Sequence, residues 1–402
     1  MRSLRACARW VPDGLVIVGV LLGIALVSAP GSLGFHLSDD DPARRAVGVG
    51  AVEAPWFLLP LVGAAIMWAA LRASAHAETI AHRLRDPFGT LVLTISAISI
   101  EVVLVVAVMT AGHSCATVAR DTMFATLMVI LNGLVGVALI AGALKKRELS
   151  FNQQSSSAYL SMIAALCTVG LVLPRFTTSA PGGYMAAPME TFVAGASLAV
   201  YAAFVALQSS AHRDFFVLDL KETPARAAGN ARAVRGHRAS LTRPIVMLLL
   251  ALATVILLAD GLGDLLVDSL QRASLPASFQ GVAIAVLILL PEGIAAVRSA
   301  LSTNVQRTIN ILHGSALATI GLTIPAVLIV SHSIGSPVEL GLEPPEITLL
   351  VATIMVAMIQ FGQGRTNLMH GLVHAMLFML WLALLLDEES TVARSVPFVT
   401  PH

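Results

Sequence analysis

The chain has 402 residues, 56% apolar and 12% charged, with a mean hydropathy of +0.83. Soluble domains carry roughly 25% charged residues, so a surface built wholly for water is excluded and a polytopic membrane protein is indicated. The formal net charge of +1, from 25 Lys+Arg against 24 Asp+Glu, leaves no basic excess for nucleic acid.

A membrane-spanning helix needs about 20 mostly apolar residues bounded by polar or Pro/Gly-rich connections. That template predicts an all-α fold of eleven transmembrane helices, at 11–29, 55–72, 90–112, 119–144, 156–175, 189–208, 244–266, 278–301, 307–331, 345–363 and 367–386. The first has the outline of a secretory leader, but its run is longer than a typical leader core and it fits an odd helix count, so it is read as a retained helix. Two connections are long: 30–54, with Asp39, Asp40 and Asp41, and 209–243, with seven Lys/Arg. The expected organisation is a leading helix and outer loop (1–54), a five-helix unit (55–208), a basic linker (209–243), a second five-helix unit (244–386) and an outer tail (387–402). Cys7, Cys115 and Cys167 have no C-x-x-C spacing and read as small apolar fillers.

Orientation follows the distribution of Lys and Arg. With the N-terminus inside, 19 of the 25 cations fall on cytoplasmic loops, which predicts a multi-pass protein of the bacterial inner membrane with its C-terminus outside. Glu339, Glu343, Glu346 and the acids at 387–389 fall on the outer side, as a solvated surface or a cation-attracting vestibule.

The two halves resemble one another. LVLTISAISIEVVLVVAVM carries Glu101 near its middle, VAIAVLILLPEGIAAVRSA carries Glu292, and each is followed by a helix rich in small and polar residues. Glu101 and Glu292 stand 191 residues apart, while Asn132 and Thr319 in the partner helices stand 187 apart. Five helices per unit is an odd number, so the second copy enters the membrane from the opposite face. This is the inverted-topology repeat with which many secondary transporters build a midplane site.

An ionised carboxylate in hydrocarbon costs about 3 kcal/mol or more on insertion scales. A mid-helix Glu therefore persists protonated, paired with a cation, or facing water. No Lys or Arg lies at matching depth, so two repeat-related carboxylates suit neutralising a divalent cation or carrying protons. Calcium takes six to eight oxygens. The remainder is sought in Ser96, Ser99, Asn132, Ser315 and Thr319, in water, and in carbonyls freed by Pro291 and Pro325. The plain alternative is two protonated acids that only hydrogen-bond neighbouring helices.

These residues resemble the calcium/cation antiporter superfamily, and within it the bacterial ChaA-type calcium (or sodium, potassium)/proton antiporter branch. The matching stretches are Ser96 to Glu101, Ala119-Arg120-Asp121-Thr122, Asn132-Gly133, Pro291-Glu292-Gly293-Ile294 with Ala296-Val297-Arg298, Gln306-Arg307, Gly314 to Ala326, and Gly364-Arg365-Thr366-Asn367 with Gly371. The resemblance spans 55–386 and is more specific in the second half. It implies 1+5+5 helices, Glu101 and Glu292 as the cation- and proton-binding acids, and Asn132 and Gly314 to Thr319 lining the same cavity. Vacuolar-type exchangers of the superfamily carry G-N-x-x-E before both acids. Here Ala97-Ile98 and Ile288-Leu289 stand there instead, and the basic linker replaces the acidic segment between their halves.

Weaker signals remain. His313 flanks the small-residue helix as a proton relay or a packing residue. Asp260 and Asp264 read as an outer funnel or an interfacial helix end, and Asp121 beside Arg120 as a helix-start pair or a proton-relay or vestibule acid. His370 and His374, lacking H-E-x-x-H chemistry, read as interhelical hydrogen-bonding groups. No phosphate-binding G-x-x-x-x-G-K-[ST] occurs, so a nucleotide-driven pump has no support.

The sequence therefore predicts a cofactor-free secondary antiporter in the lipid bilayer. Its expected transport is Ca2+ export against protons by alternating access at Glu101 and Glu292. The rivals are Na+ or K+/proton exchange by the same acids, an intramembrane enzyme and a passive channel.

Overall fold

The computed structural model describes residues 58–81, 83–84, 88–110, 116–209, 241–273, 275–276 and 278–394. The predicted helix at 11–29, Asp39 to Asp41, Cys7, Cys115, residues 210–240 of the linker and the tail beyond 394 lie outside the described residues, as do the side chains of Asp260 and Asp264.

Among the described residues, ten long helices follow in chain order. They are α1 (Leu58–Ala81), α2 (Phe88–Thr110), α3 (Val118–Ala143), α4 (Gln153–Phe176), α5 (Ala187–Ser209), α6 (Thr242–Arg272), α7 (Phe279–Leu301), α8 (Val305–Ile334), α9 (Pro344–Phe361) and α10 (Leu368–Arg394). Nine are long and apolar enough to cross a membrane, and α2 contributes the shorter apolar run Val92–Ala107. They match the second to eleventh predicted helices. α1, α6 and α10 run past their predicted ends, because a hydropathy window stops at the first charges whereas backbone hydrogen bonding continues into the interface.

Side chains mark where helices begin. Asn152 accepts from the backbone N–H of Gln154 and Ser155 at the start of α4, and Asn304 accepts from that of Arg307 at the start of α8. Glu343 and Glu346 form a reciprocal capping box ahead of α9, with Pro344 in its first turn. Gly335, at φ 69°, ends α8 in the left-handed conformation that glycine adopts without a Cβ clash. Inside α3 and α8 the helix widens into π-turns, Val129–Leu134 and Thr319–Thr323. Such turns loosen the backbone ladder and are frequent at functional sites.

Two apolar cores organise the bundle. One is formed by α1, α2 and α6 with Val118 at the start of α3 and Ile284 and Ile288 of α7. The other gathers α3, α4, α5 and α8 to α10 with Ala285, Leu289, Ala296 and Ala300 of α7. α2 also contributes to both, Ile100 and Leu104 to the first and Val105 and Met109 to the second. The helices of Glu101 and Glu292 thus form the seam.

Successive helices alternate in direction and leave two distinct ends. The basic end carries Arg83, Lys145, Lys146, Arg147, Arg298, Arg307 and Arg365, and there Leu149–Ser150 pairs antiparallel with Arg365–Thr366. The opposite end carries Arg120, Arg175 and Arg272 among Asp121, Asp268, Glu339 and Glu343. α3 and α10 cross closely: a Cβ on Gly136 would lie 2.9 Å from the Ala375 nitrogen, and one on Gly371 would lie 2.9 Å from that of Ile140.

Candidate functional site

Glu101 sits halfway along α2 and is 3% exposed. Its Oε2 accepts a hydrogen bond from the Thr319 hydroxyl at 3.0 Å, while its Oε1 is buried without a protein partner. Glu292, one residue after Pro291 on α7, likewise has Oε2 buried and unpartnered. Buried carboxylate oxygens are normally hydrogen-bonded, so these two atoms are free acceptors for a cation, a proton or water.

Both glutamates line one cavity of about 280 Å³, which extends past Tyr159, Gly314 and Ser315 to Gln208, Arg307 and Asn310 at the basic end. A second cavity of about 210 Å³ adjoins it and also borders Glu292, lined by Ser96, Pro291, Arg307 and Glu78. Arg307 borders both. Gln208 donates to the Tyr159 hydroxyl at 3.4 Å, holding the phenol at the wall. Two carboxylates lining one cavity can exchange a bound cation for protons, since either occupant neutralises them.

The structure brings most of the predicted residues together. Glu101, Glu292, Gly314 and Ser315 share the main cavity, Ser96 and Pro291 line its neighbour, and Thr319 holds Glu101. Ser99 is a correction. It lies two residues from Glu101, about 200° around an α-helix, donates to the Ile95 carbonyl, and faces a groove between α2 and α6.

Asn132 is a second correction. It is fully buried in the α3 π-turn, donates to the Thr353 hydroxyl at 2.9 Å, and its Oδ1 lies 3.2 Å from His374 Nδ1. It thus ties α3 to α9 and α10 and leaves Glu292 without a counterpart to the Thr319 bond. The reading of His374 as an interhelical hydrogen-bonding group agrees with this contact.

His313 is fully buried and turned away from the cavity wall made by Gly314 and Ser315. It packs edge-on against Tyr159 and Phe361 at centroid distances of 6.2 and 4.8 Å. Asp121 stands at the opposite end. Arg120, 7% exposed, donates there to Asp121 and Glu339, each at 2.8 Å, and to the Gly341 carbonyl. Arg175 bonds Glu343 at 2.6 Å and lies 3.6 Å from Glu339. This lattice joins α3, the end of α4 and the segment before α9, and it covers the end remote from the cavity. The helix-start reading of Asp121 is thereby extended to a tertiary contact.

Sequence reasoning passed over Tyr159, Gln208, Arg307 and Asn310 as cavity residues. It searched for charges at mid-depth, whereas these are neutral or lie near a helix end, where polar residues are ordinary. Their signal was position: Arg307 and Asn310 stand two and one turns before Gly314 on one helix.

A family model described as Sodium/calcium exchanger protein matches residues 54–210 and 243–386. The chain belongs to this family. A relative from Sinorhizobium fredii, named ionic transporter y4hA, is 37% identical over 329 residues, covering 81% of this chain and 88% of the relative. The sodium-potassium/proton antiporter ChaA of Escherichia coli is 33% identical over 330 residues, covering 81% and 87%. Among solved structures, native YfkE superposes with a TM-score of 0.64 at 16% identity, over 91% of this chain and 96% of its own. The H+/Ca2+ exchanger CAX superposes with a TM-score of 0.63 at 16% identity, over 92% and 89%. The chain is therefore a multi-pass secondary transporter of a bacterial membrane, a cation antiporter and not an enzyme, with the all-α fold of these exchangers.

Proposed function

We propose that this antiporter exports Ca2+ in exchange for protons by alternating access around Glu101 and Glu292. One observation carries the reading: two repeat-related carboxylates, each with an unpartnered buried oxygen, face the same cavity at the seam between two cores. Two ionised carboxylates match the charge of a divalent ion, and Ser315 with water supplies further oxygens.

The mechanism follows from the two ends. By the excess of Lys and Arg the basic end is cytoplasmic, which puts the start of α1 and the end of α10 on the outer side. A cytoplasmic cation enters past Arg307 and Gln208 and is neutralised by the deprotonated pair. The ion pairs of Arg120 and Arg175 keep the far end closed meanwhile. Movement of one core against the other, along α2 and α7, closes the basic end and opens the acidic one. Protons from outside then neutralise the glutamates and release the cation. An unneutralised pair at the seam makes the crossing costly, which couples the two fluxes.

Monovalent exchange is the second reading. The E. coli relative is named for sodium and potassium, and Ala97, Ile98, Ile288 and Leu289 offer no side-chain oxygen before either acid. Proton flux in everted vesicles, driven separately by Ca2+, Na+ and K+, tests both. Glu101→Gln and Glu292→Gln are each expected to reduce flux at least 100-fold. Either variant exchanging at near wild-type rates refutes the mechanism, and the ion that drives the wild type decides the substrate.

A further inference from the structure

α7 presents two faces of different chemistry. Ile288, Pro291, Glu292 and Ala295 line the cavities described above. Val286, Leu289, Leu290, Gly293, Ile294, Val297 and Arg298 repeat at three- and four-residue spacing and line a separate groove of about 700 Å³ against α3 and α10. Every other residue of that groove is apolar, and Arg298 stands at its basic end. Leu290, Ile294 and Met379 are exposed, so the groove opens sideways, where bilayer surrounds the protein.

We propose that this groove binds one anionic phospholipid of the cytoplasmic leaflet, with an acyl chain along α7 and its phosphate against Arg298. Two observations carry the assignment. The run from Val286 to Arg298 is about 18 Å at 1.5 Å per residue, close to the roughly 15 Å of one leaflet's hydrocarbon.

The mouth is also basic beyond Arg298. A Cβ on Gly142 would lie 3.5 Å from the Ala300 carbonyl, and the backbone N–H groups of Lys145 and Lys146 bond the Gly142 carbonyl. The exposed Lys145, Lys146 and Arg147 therefore cluster beside the end of α7, and basic pockets between helices at the cytoplasmic face suit acidic headgroups. The groove between α2 and α6, lined by Ile95, Val103 and Leu249, contains no cation, and it provides no headgroup selectivity. A lipid in the α7 groove packs against Gly293, directly behind Glu292, on the helix that forms the seam.

The test uses full-length protein purified in detergent and stripped of lipid. Dioleoyl-phosphatidylglycerol is expected to raise the thermal unfolding midpoint by several degrees and to remain as one bound lipid in native mass spectrometry, whereas dioleoyl-phosphatidylcholine does neither. Combining Arg298→Gln, Lys145→Gln and Lys146→Gln should remove at least half of the phosphatidylglycerol shift. Met379→Trp, which fills the groove from an exposed position, should abolish lipid retention. Arg365→Gln at the same end should leave both readings unchanged. An unchanged shift in the triple variant overturns the proposal, as does equal retention of phosphatidylcholine, equal loss in Arg365→Gln, or a second copy of the chain in place of the lipid. If Met379→Trp does not fold, the charge variants decide alone.

Discussion

The Thr319 hydroxyl donates to Oε2 of Glu101 across 3.0 Å, so the acid of the first half is held by the π-turn of the second. A hydrogen bond to an ionised group contributes about 1.5–3 kcal/mol. Removing it loosens the carboxylate and leaves a second buried oxygen without a partner. Thr319→Ala is expected to weaken apparent cation affinity about 10-fold or more, measured as the half-saturating concentration for proton flux. Thr319→Ser, which keeps the hydroxyl, should stay within about 3-fold of wild type. Equal losses in both variants would assign Thr319 to packing instead.

The halves are less symmetric in space than along the chain, and this marks the limit of what sequence reading could reach. Ten helices and the two costly acids were legible because burying charge leaves a signal in a chain so short of it. The pairing of polar neighbours was not. Asn132 and Thr319 occupy similar places in similar helices, yet one serves a clasp among α3, α9 and α10 while the other reaches the glutamate. Which way a side chain points in a π-turn depends on one extra residue per turn, and no apolar periodicity records that. Ser99 shows the same limit: hydroxyl content suggested a ligand, but two residues of rotation turn it away from the cavity. The ion-pair lattice was half visible, with Arg120 and Asp121 adjacent but Glu339 more than two hundred residues along.

That lattice yields a second expectation. Arg120 is buried beside Asp121 and Glu339, whose side chains are 19% and 15% exposed. Taking one partner from a buried charge cluster costs about 3–5 kcal/mol, because the remaining charges lose their counterion. Arg120→Gln should lower the unfolding midpoint by several degrees, and adding Glu339→Gln should restore part of the loss. In everted vesicles Arg120→Gln is also expected to let protons leak without cation, since the acidic end then closes less firmly. Wild-type stability with no leak would show that the ion pairs do not hold that end.

The clasp at Asn132 is expected to matter for folding more than for ion binding. Its amide joins the Thr353 hydroxyl and the His374 ring in a region otherwise filled by leucine, methionine and phenylalanine. Unsatisfied buried partners cost about 1–3 kcal/mol each. Asn132→Leu should therefore destabilise the protein by a few kcal/mol, and Asn132→Leu with Thr353→Val by less than the sum of the single changes, because both remove the same bond. Half-saturation for the cation should change less than 3-fold in whatever fraction folds. A larger shift in affinity would return Asn132 to the cation site.

The crossing of α3 over α10 sets a steric limit on the fold that carries the site. A Cβ at Gly371 would come within 2.9 Å of the Ile140 nitrogen and 3.1 Å of the Gly136 carbonyl, both backbone atoms that cannot rotate aside. Small residues at such crossings let helix backbones approach in a membrane, and overpacking typically costs about 1–3 kcal/mol. Gly371→Ala should lower the unfolding midpoint measurably and Gly371→Leu should prevent recovery of folded protein. The exposed neighbour Leu372 provides the contrast, with Leu372→Ala expected to stay close to wild type. A Gly371→Leu protein that purifies intact and transports normally would mean that α3 and α10 separate at little cost, and the close crossing would then not be what positions the α3 π-turn.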